Sequence, residues 1–388
     1  MVCCNHTKLR NPLLCIVPPH MLDNIAENGT PQQQAIAVNT RATTQALLGQ
    51  RLAVARGEIP AEPKEVHRIA GGKMRSVYTA NFARQLPGTL VRQEGDGPSG
   101  DLSVDEAYDG AGITYDLYFT EFQRNSIDND GMSLISTVHF DQSYDNAFWN
   151  GQQMVYGDGD DDMPEAQRIF NRFTIAIDVI GHELTHGVTQ HTANLVYFNQ
   201  PGALNESVSD VFGSMVKQKN LGQDARTADW IIGEGLFTSN VNAVGIRSMK
   251  NPGTAYDDPL LGKDPQPGHM NDYVNTTQDN GGVHINSGIP NRAFYVTAYE
   301  LGGASWEKAG QIWYATLTDA RLTNAASFQH FANLTHQIAG EKYGVGSLEQ
   351  MAVMKGWTEV GITIAAAPSE NVGCLTSLLK VFSSPGNR

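Results

Sequence analysis

Apolar and polar positions along this 388-residue chain change rhythm twice. In the first fifty residues the pattern predicts two short helices. One covers Met21 to Glu27 and ends at Asn28–Gly29. The next opens with Thr30 as N-cap and Pro31 at the first helical position, carries Ile36, Ala37, Ala42, Leu47 and Leu48, and runs toward Gly57. Two short helices bury little alone, so this unit is expected to pack on the rest of the chain. A Pro- and charge-rich linker, "GEIPAEPKEVHR", follows. From about Arg68 to Gly159 the β-branched and aromatic runs "RSVYTA", "ITYDLYF" and "LISTVHF" predict strands separated by Gly, Asp and Asn clusters. Beyond Pro164 helical periodicity takes over, and "EAQRIFNRFTIAIDVIGHELTHGVTQHT" reads as one long, largely apolar and therefore buried helix. Further helices are predicted over 205–218, 306–316, 328–341 and 348–357, and the tail after Ile364 reads as a weakly ordered appendage. The class is α+β: a strand-rich lobe joined to a helical lobe with a buried helix between them. The divisions fall at 1–55, 56–188, 189–363 and 364–388.

Composition narrows the function classes. A net charge of -14 argues against nucleic acid or an anionic membrane as a partner. Only Cys3, Cys4, Cys15 and Cys374 are present, so the span between Cys15 and Cys374 holds no disulfide, zinc ribbon or cysteine nucleophile. No apolar run approaches the roughly 20 residues needed to cross a bilayer. The amino terminus lacks the continuous apolar stretch of about 7–15 residues that marks a secretory signal.

The chemistry concentrates in "VIGHELTHGVTQH", residues 179–191, which fits H-E-x-x-H. On a helix His182 and His186 lie about 40° apart, so both imidazoles can reach one ion. A catalytic zinc site needs a third protein ligand and an open position. His191 would lie about 180° from His182. The longer pattern with a third histidine fails as well, because Thr189 and Thr192 stand where Gly and His are required. The better candidate is Glu206 in "GALNESVSDVFG", with Asp210 one turn later to orient an imidazole. These two acids read alternatively as an ordinary solvated face. Their apolar neighbours Val208, Val211 and Phe212 favour burial, and buried carboxylates need a partner.

With these segments in view the chain resembles the thermolysin family of zinc metallopeptidases over about residues 70–363. The likeness rests on "NAFWNGQQMVYGDGD", "HELTH", "GALNESVSDVFG", "RSM" and "DNGGVHINSGIPNRAFY". The segment "PPHMLDNIAENG" resembles the short propeptide of the protealysin-like branch. The resemblance implies a two-lobed fold and one zinc bound by His182, His186 and Glu206. It implies Glu183 as general base, Tyr197 and His284 as donors to the oxyanion, and Asp279 as the group that holds His284. Asp210 and Asn205 would accept from the outer nitrogens of His182 and His186. Asn146 and the Ala147 backbone would bind substrate as an extended strand, and Arg247 would bind its carbonyl side. Phe170, Phe173, Val179, Ile232, Leu236 and Ile246 would line an apolar pocket for the residue after the cleaved bond.

The chain departs from secreted relatives at the double calcium site. Asp178, Asp229 and Glu234 match it, but Lys217 and Ile231 stand where glutamates are expected. A lysine ammonium is therefore expected to replace calcium, since a divalent pair needs many oxygen ligands. A further calcium loop lacks its aspartate at Val244, and the acidic run 158–162 reads as a solvated loop. The expected protein is a monomeric neutral endopeptidase made as a zymogen, acting on peptides and inhibited by its own propeptide. Cys3, Cys4 or Cys15 offers a thiolate switch on zinc. The simpler alternative lays "VPPHML" across the cleft. Rival readings are an inactive binding protein of the same fold and a zinc aminopeptidase. Secretion is the family expectation, with the cytoplasm as the alternative given the missing leader.

Overall fold

The computed structural model describes residues 14–55 and 72–364. The predicted tail, the linker, Cys3, Cys4 and Cys374 lie outside them. Six strands form one sheet: β1 (Leu14–Cys15), β2 (Arg75–Thr79), β3 (Thr89–Gln93), β4 (Leu134–Val138), β5 (Ala147–Trp149) and β6 (Met154–Tyr156). Their spatial order is β1-β5-β6-β4-β2-β3, with β2, β4 and β6 parallel. β1 comes from the amino-terminal unit and pairs antiparallel with β5, so that unit completes the edge of the body's sheet.

Among the described residues ten α-helices occur, in chain order α1 (Pro19–Asn28), α2 (Pro31–Ala55), α3 (Leu102–Phe122), α4 (Ile177–Gln190), α5 (Asn199–Leu221), α6 (Asp279–Asn286), α7 (Gly288–Leu301), α8 (Ala309–Leu317), α9 (Phe328–Tyr343) and α10 (Leu348–Glu359). A reciprocal cap opens α2: Gln33 N–H donates to Thr30 Oγ1 and Thr30 N–H to Gln33 Oε1. The two amino-terminal helices do pack on the body. Met21, Leu22 and Ile25 are buried, each contributing about 1.5–3 kcal/mol. Asn24 donates to Leu261 O, Gln33 to Gln167 O, and Asp145 N–H to Thr40 Oγ1.

Two predicted elements are corrected. "ITYDLYF" is not a strand but the second half of α3. Its Ile-Tyr-Leu-Phe alternation at 113, 115, 117 and 119 gives way to a helical face of Val104, Ala107, Ala111, Tyr115, Tyr118 and Phe122, all buried, while Phe119 is exposed. Asp101 fixes the start of α3 by accepting from Ser103 and Val104 N–H. The long helix from residue 165 is not continuous either: α4 begins only at Ile177. Upstream, the Asp160 carboxylate takes the N–H groups of Ile169 and Phe170, and Asn171 N–H bonds Leu236 O, which removes those donors from any helical ladder. His191 caps the end of α4, as a helix-end residue should. The helix predicted over 205–218 extends to Asn199–Leu221, and α6 and α7 were not predicted.

Among the described residues α4 and α5 form the most extensive helix–helix contact, and both are largely buried. Their approach depends on Gly213: a Cβ there would come within 2.4 Å of the Asp178 carbonyl oxygen. This contact brings two sets of charged side chains together, one toward the cleft and one at the far side.

Candidate active site and metal centre

α4 presents His182 and His186 one turn apart, with ring centroids 4.6 Å from each other and planes nearly perpendicular. α5 brings Glu206 against both: His182 Nε2 lies 3.5 Å from Oε2, and His186 Nε2 lies 3.4 Å from Oε1. All three residues have zero exposure. One ligating atom from each lies within 4.8 Å of the others. His182 Nε2, His186 Nε2 and Glu206 Oε2 have no hydrogen-bond partner among the described residues.

The outer ring nitrogens are fully engaged. His182 Nδ1 is 2.8 Å from Asp210 Oδ1, and His186 Nδ1 is 2.8 Å from Asn205 Oδ1 and 2.9 Å from Ser209 Oγ. Asp210 also accepts from Arg247 Nε and Nη2 and from Asn291 Nδ2, each at 2.8 Å. Four donors on one carboxylate fix the His182 ring and Arg247 together. Burial opposes charge on His182, yet its hydrogen bond to the Asp210 carboxylate and the nearby Glu206 carboxylate draw it up to about 9. Burial, helped by the nearby His182 and His284 and opposed by Glu206, drives the neighbouring His186 down to about 3. Burial likewise opposes charge on Glu206, yet His284, His186 and His182 hold its carboxyl well below the usual range. Orphaned ligating atoms beside anionic oxygen atoms fit a bound cation, and a His₂Glu donor set suits zinc.

Around this centre the remaining predicted residues converge. Glu183 Oε2 accepts from Trp149 N–H at 2.9 Å, while Oε1 has no partner among the described residues, and burial pushes the carboxyl up to about 8. Tyr197 OH donates to Glu206 Oε1 and lies 3.2 Å from His284 Nε2. Asp279 holds His284 twice, through Nδ1 at 2.6 Å and through the backbone N–H at 2.8 Å. That grip depends on left-handed backbone at residues 279–282, where a Cβ on Gly281 would lie 2.0 Å from Asn199 Oδ1.

The amino-terminal strand sits in the same cleft. Asn146 Oδ1 accepts from Val17 N–H at 3.0 Å, Ala147 O accepts from Ile16 N–H at 3.1 Å, and Arg247 Nη1 donates to Ile16 O at 3.2 Å. Phe170, Phe173, Val179, Ile232, Leu236 and Ile246 are all buried in the core cluster that also holds Ile16. Phe170 packs on Phe173 and on Phe237 as well, with centroids 5.6 and 5.1 Å away. The Cys15 side chain belongs to a different cluster, with Phe140, Tyr144 and Phe148. It is the Cys15 carbonyl, at 3.0 Å, that meets His284 Nε2.

At the far end of the α4–α5 contact, Lys217 Nζ lies 2.8 Å from Glu234, 2.9 Å from Asp229 and 3.8 Å from Asp178. It also donates to Ile231 O at 3.2 Å. Burial works against the Lys217 charge, but Asp178 and the hydrogen bonds to Asp229 and Glu234 raise its pKa.

Five contributors were missed from the sequence: the Trp149 N–H on Glu183, Ser209 on His186, Asn291 on Asp210, and Tyr144 and Phe148 around Cys15. Ser209 was within reach, since it follows Asn205 by one helical turn on the same face. Asn291 and Trp149 act across elements distant in sequence, where no local periodicity announces them.

A buried HExxH helix, a glutamate from the next helix and a His–Tyr pair above them define a metalloendopeptidase. The chain belongs to the thermolysin metallopeptidase family: that family's catalytic domain matches residues 65–190 and its alpha-helical domain residues 193–362. Membership implies a zinc cofactor, and His182, His186 and Glu206 are the group that would hold it. An extracellular metalloprotease of Pectobacterium carotovorum subsp. carotovorum is 53% identical over 353 residues, covering 91% of this chain and 97% of that protein. Protease PrtS of Photorhabdus sp. (strain Az29) is 48% identical, covering 90% and 92%. The solved precursor of protealysin, a metalloproteinase from Serratia proteamaculans, superposes with a TM-score of 0.79 at 50% identity, covering 90% of this chain and 99% of that one. Helices α1 and α2 are consistent with a propeptide.

Proposed function

We propose that this metalloprotease is a zinc endopeptidase that cuts on the amino-terminal side of bulky apolar residues, and that residues 14–55 hold it latent. What carries the reading is the set of orphaned buried atoms: His182 Nε2, His186 Nε2 and Glu206 Oε2, with Glu183 Oε1 beside them. When bound, zinc would polarise the scissile carbonyl and lower the pKa of the attacking water. Glu183 takes the proton from that water and delivers it to the leaving nitrogen, a role suited to a carboxyl raised toward neutrality. Tyr197 and His284 donate to the oxygen where negative charge develops, and Asp279 keeps His284 protonated and aimed. Asn146, Ala147 and Arg247 align the substrate backbone, and the Val179–Ile232–Leu236–Ile246 region, with Phe170 and Phe173, receives the apolar side chain. At the far site, Lys217 stands in for calcium among Asp178, Asp229 and Glu234. By extension from relatives named extracellular, the protein acts outside the cell, as a monomer.

The test is the intact mass of the purified chain over time, beside a Glu183→Ala variant and a zinc-chelated sample. Only the untreated chain should shed an amino-terminal piece ending within residues 50–70. Identical behaviour of all three would overturn self-processing by this site.

A further inference from the structure

The strand in the cleft is bound group by group by the residues assigned above to substrate. Ile16 gives its N–H to Ala147 O and its carbonyl to Arg247. Val17 N–H goes to Asn146 Oδ1, and the Cys15 carbonyl oxygen sits on His284 Nε2, beside Tyr197 OH. The side chains of Cys15 and Ile16 part to different clusters, and Val17 stays in that of Ile16. Ile16 is fully buried in the cluster that holds Val179, Ile232, Leu236 and Ile246, whereas Cys15 packs with Tyr144 and Phe148 in the other cluster. Pro18, with no N–H to give, comes next, and Pro19 starts α1. A polar groove contact would not need this order. A carbonyl on the oxyanion donor, followed by an N–H on the β5 edge and then a carbonyl on arginine, is the order that a peptide about to be cut must present.

We infer that the Cys15–Ile16 peptide bond is held in the register of a scissile bond and that the chain hydrolyses it in cis, separately from any cut in the linker. In that step the water oxygen bonds the Cys15 carbonyl carbon and the Cys15–Ile16 C–N bond breaks. One water proton passes through Glu183 to the Ile16 nitrogen. Cys15 becomes a carboxylate terminus and Ile16 an amino terminus. The new amine still faces Ala147 O, and the Arg247 and Asn146 contacts to Ile16 and Val17 are untouched. The clipped chain is therefore a tethered product complex and stays latent until residues 16–55 are removed. This rests on the endopeptidase reading above.

The test follows the zinc-loaded full chain by intact mass and amino-terminal sequencing. A species beginning at Ile16 should appear at a rate independent of protein concentration, and should be absent from the Glu183→Ala chain. Ile16→Asp, which forces a carboxylate into an apolar pocket, should slow that cut about a hundredfold, while Ile16→Leu keeps it within about threefold. Linker cleavage with no Ile16 terminus ever formed overturns the inference, as does a rate proportional to concentration. A second readout needs no turnover. In zinc-free Glu183→Ala chain the Ile16 and Val17 amides should exchange slowly, and Asn146→Ala should speed Val17 alone, by about tenfold or more. Free exchange at both amides in the parent overturns the register. A blocked peptide with an internal Leu separates the two readings. If the activated enzyme cuts it while Cys15–Ile16 stays whole, the register falls and the endopeptidase stands. If neither bond is cut, the endopeptidase reading falls.

Discussion

The α4–α5 contact carries two acidic clusters that have opposite electrostatic solutions. Toward the cleft, Glu206 and Asp210 surround imidazoles whose ligating atoms are left without partners. At the far side, Asp178, Asp229 and Glu234 surround an ammonium that the chain itself supplies at Lys217. A site whose ligating atoms are left without partners calls for a cation from solution and can exchange it. A site that carries its counter-charge has no such call for one. Function and stability should therefore come apart between them.

The largest expected effect breaks the first cluster. Glu206→Gln removes a charged ligand, and the mature enzyme should lose roughly a thousandfold in kcat/KM, about 4 kcal/mol of transition-state stabilisation. The zinc-dependent part of its thermal stability should vanish with it, because binding energy that reaches only the folded state is folding energy. Assays and melting curves with and without chelator check both. Undiminished zinc stabilisation in the variant would remove Glu206 from the ligand set.

Next in size is the second cluster. Lys217→Met leaves Asp178 buried without its cation while Asp229 and Glu234 retain solvent, so the cost is about 2–3 kcal/mol, between the buried and exposed limits. Activity per folded molecule should hardly change, the reverse of Glu206→Gln. The pH profile adds a sign. Burial raises the Asp178 carboxyl from 3.8 to about 6, with Lys217 pulling the other way. A raised acid favours the folded state when protonated, so its contribution, about 3 kcal/mol at most, is complete below pH 3.8 and is lost as pH rises through about 6. In Lys217→Met the loss should continue to higher pH, and in Asp178→Asn this window should flatten. Chemical denaturation across that range measures it.

How far these two sites could be read beforehand depends on where their partners lie in the chain. His182, Glu183 and His186 share one helix, and Glu206 with Asp210 another, so a 3.6-residue period was enough to group them. Asp229, Glu234 and Lys217 needed the family likeness, because loops 229–234 carry no period. The same limit explains the errors in the fold. Residues 113–119 satisfy a strand alternation and a helical face equally well, and only Asp101 capping α3 and the sheet beneath it decide for helix. The break before Ile177 is set by Asp160 nine and ten residues upstream of the N–H groups it captures, a contact invisible to a periodicity argument.

The smallest expected effect sharpens the comparison most. Adding millimolar calcium to the wild-type chain should leave its melting temperature unmoved, to within about 1 °C, since the Lys217 ammonium already fills the space among three carboxylates and no oxygen set of about six to eight is left for the ion. Lys217→Glu tests the cause of that indifference. It removes the resident charge and adds a carboxylate, so the variant should be destabilised without calcium by mutual repulsion among four acids and partly restored with it. A wild type that gains several degrees on calcium would mean that the cation is held elsewhere, and the two clusters would no longer differ in the way their partners suggest. A variant indifferent to calcium would leave Lys217 as a structural ion pair, with Ile231 the loss that closed the old site.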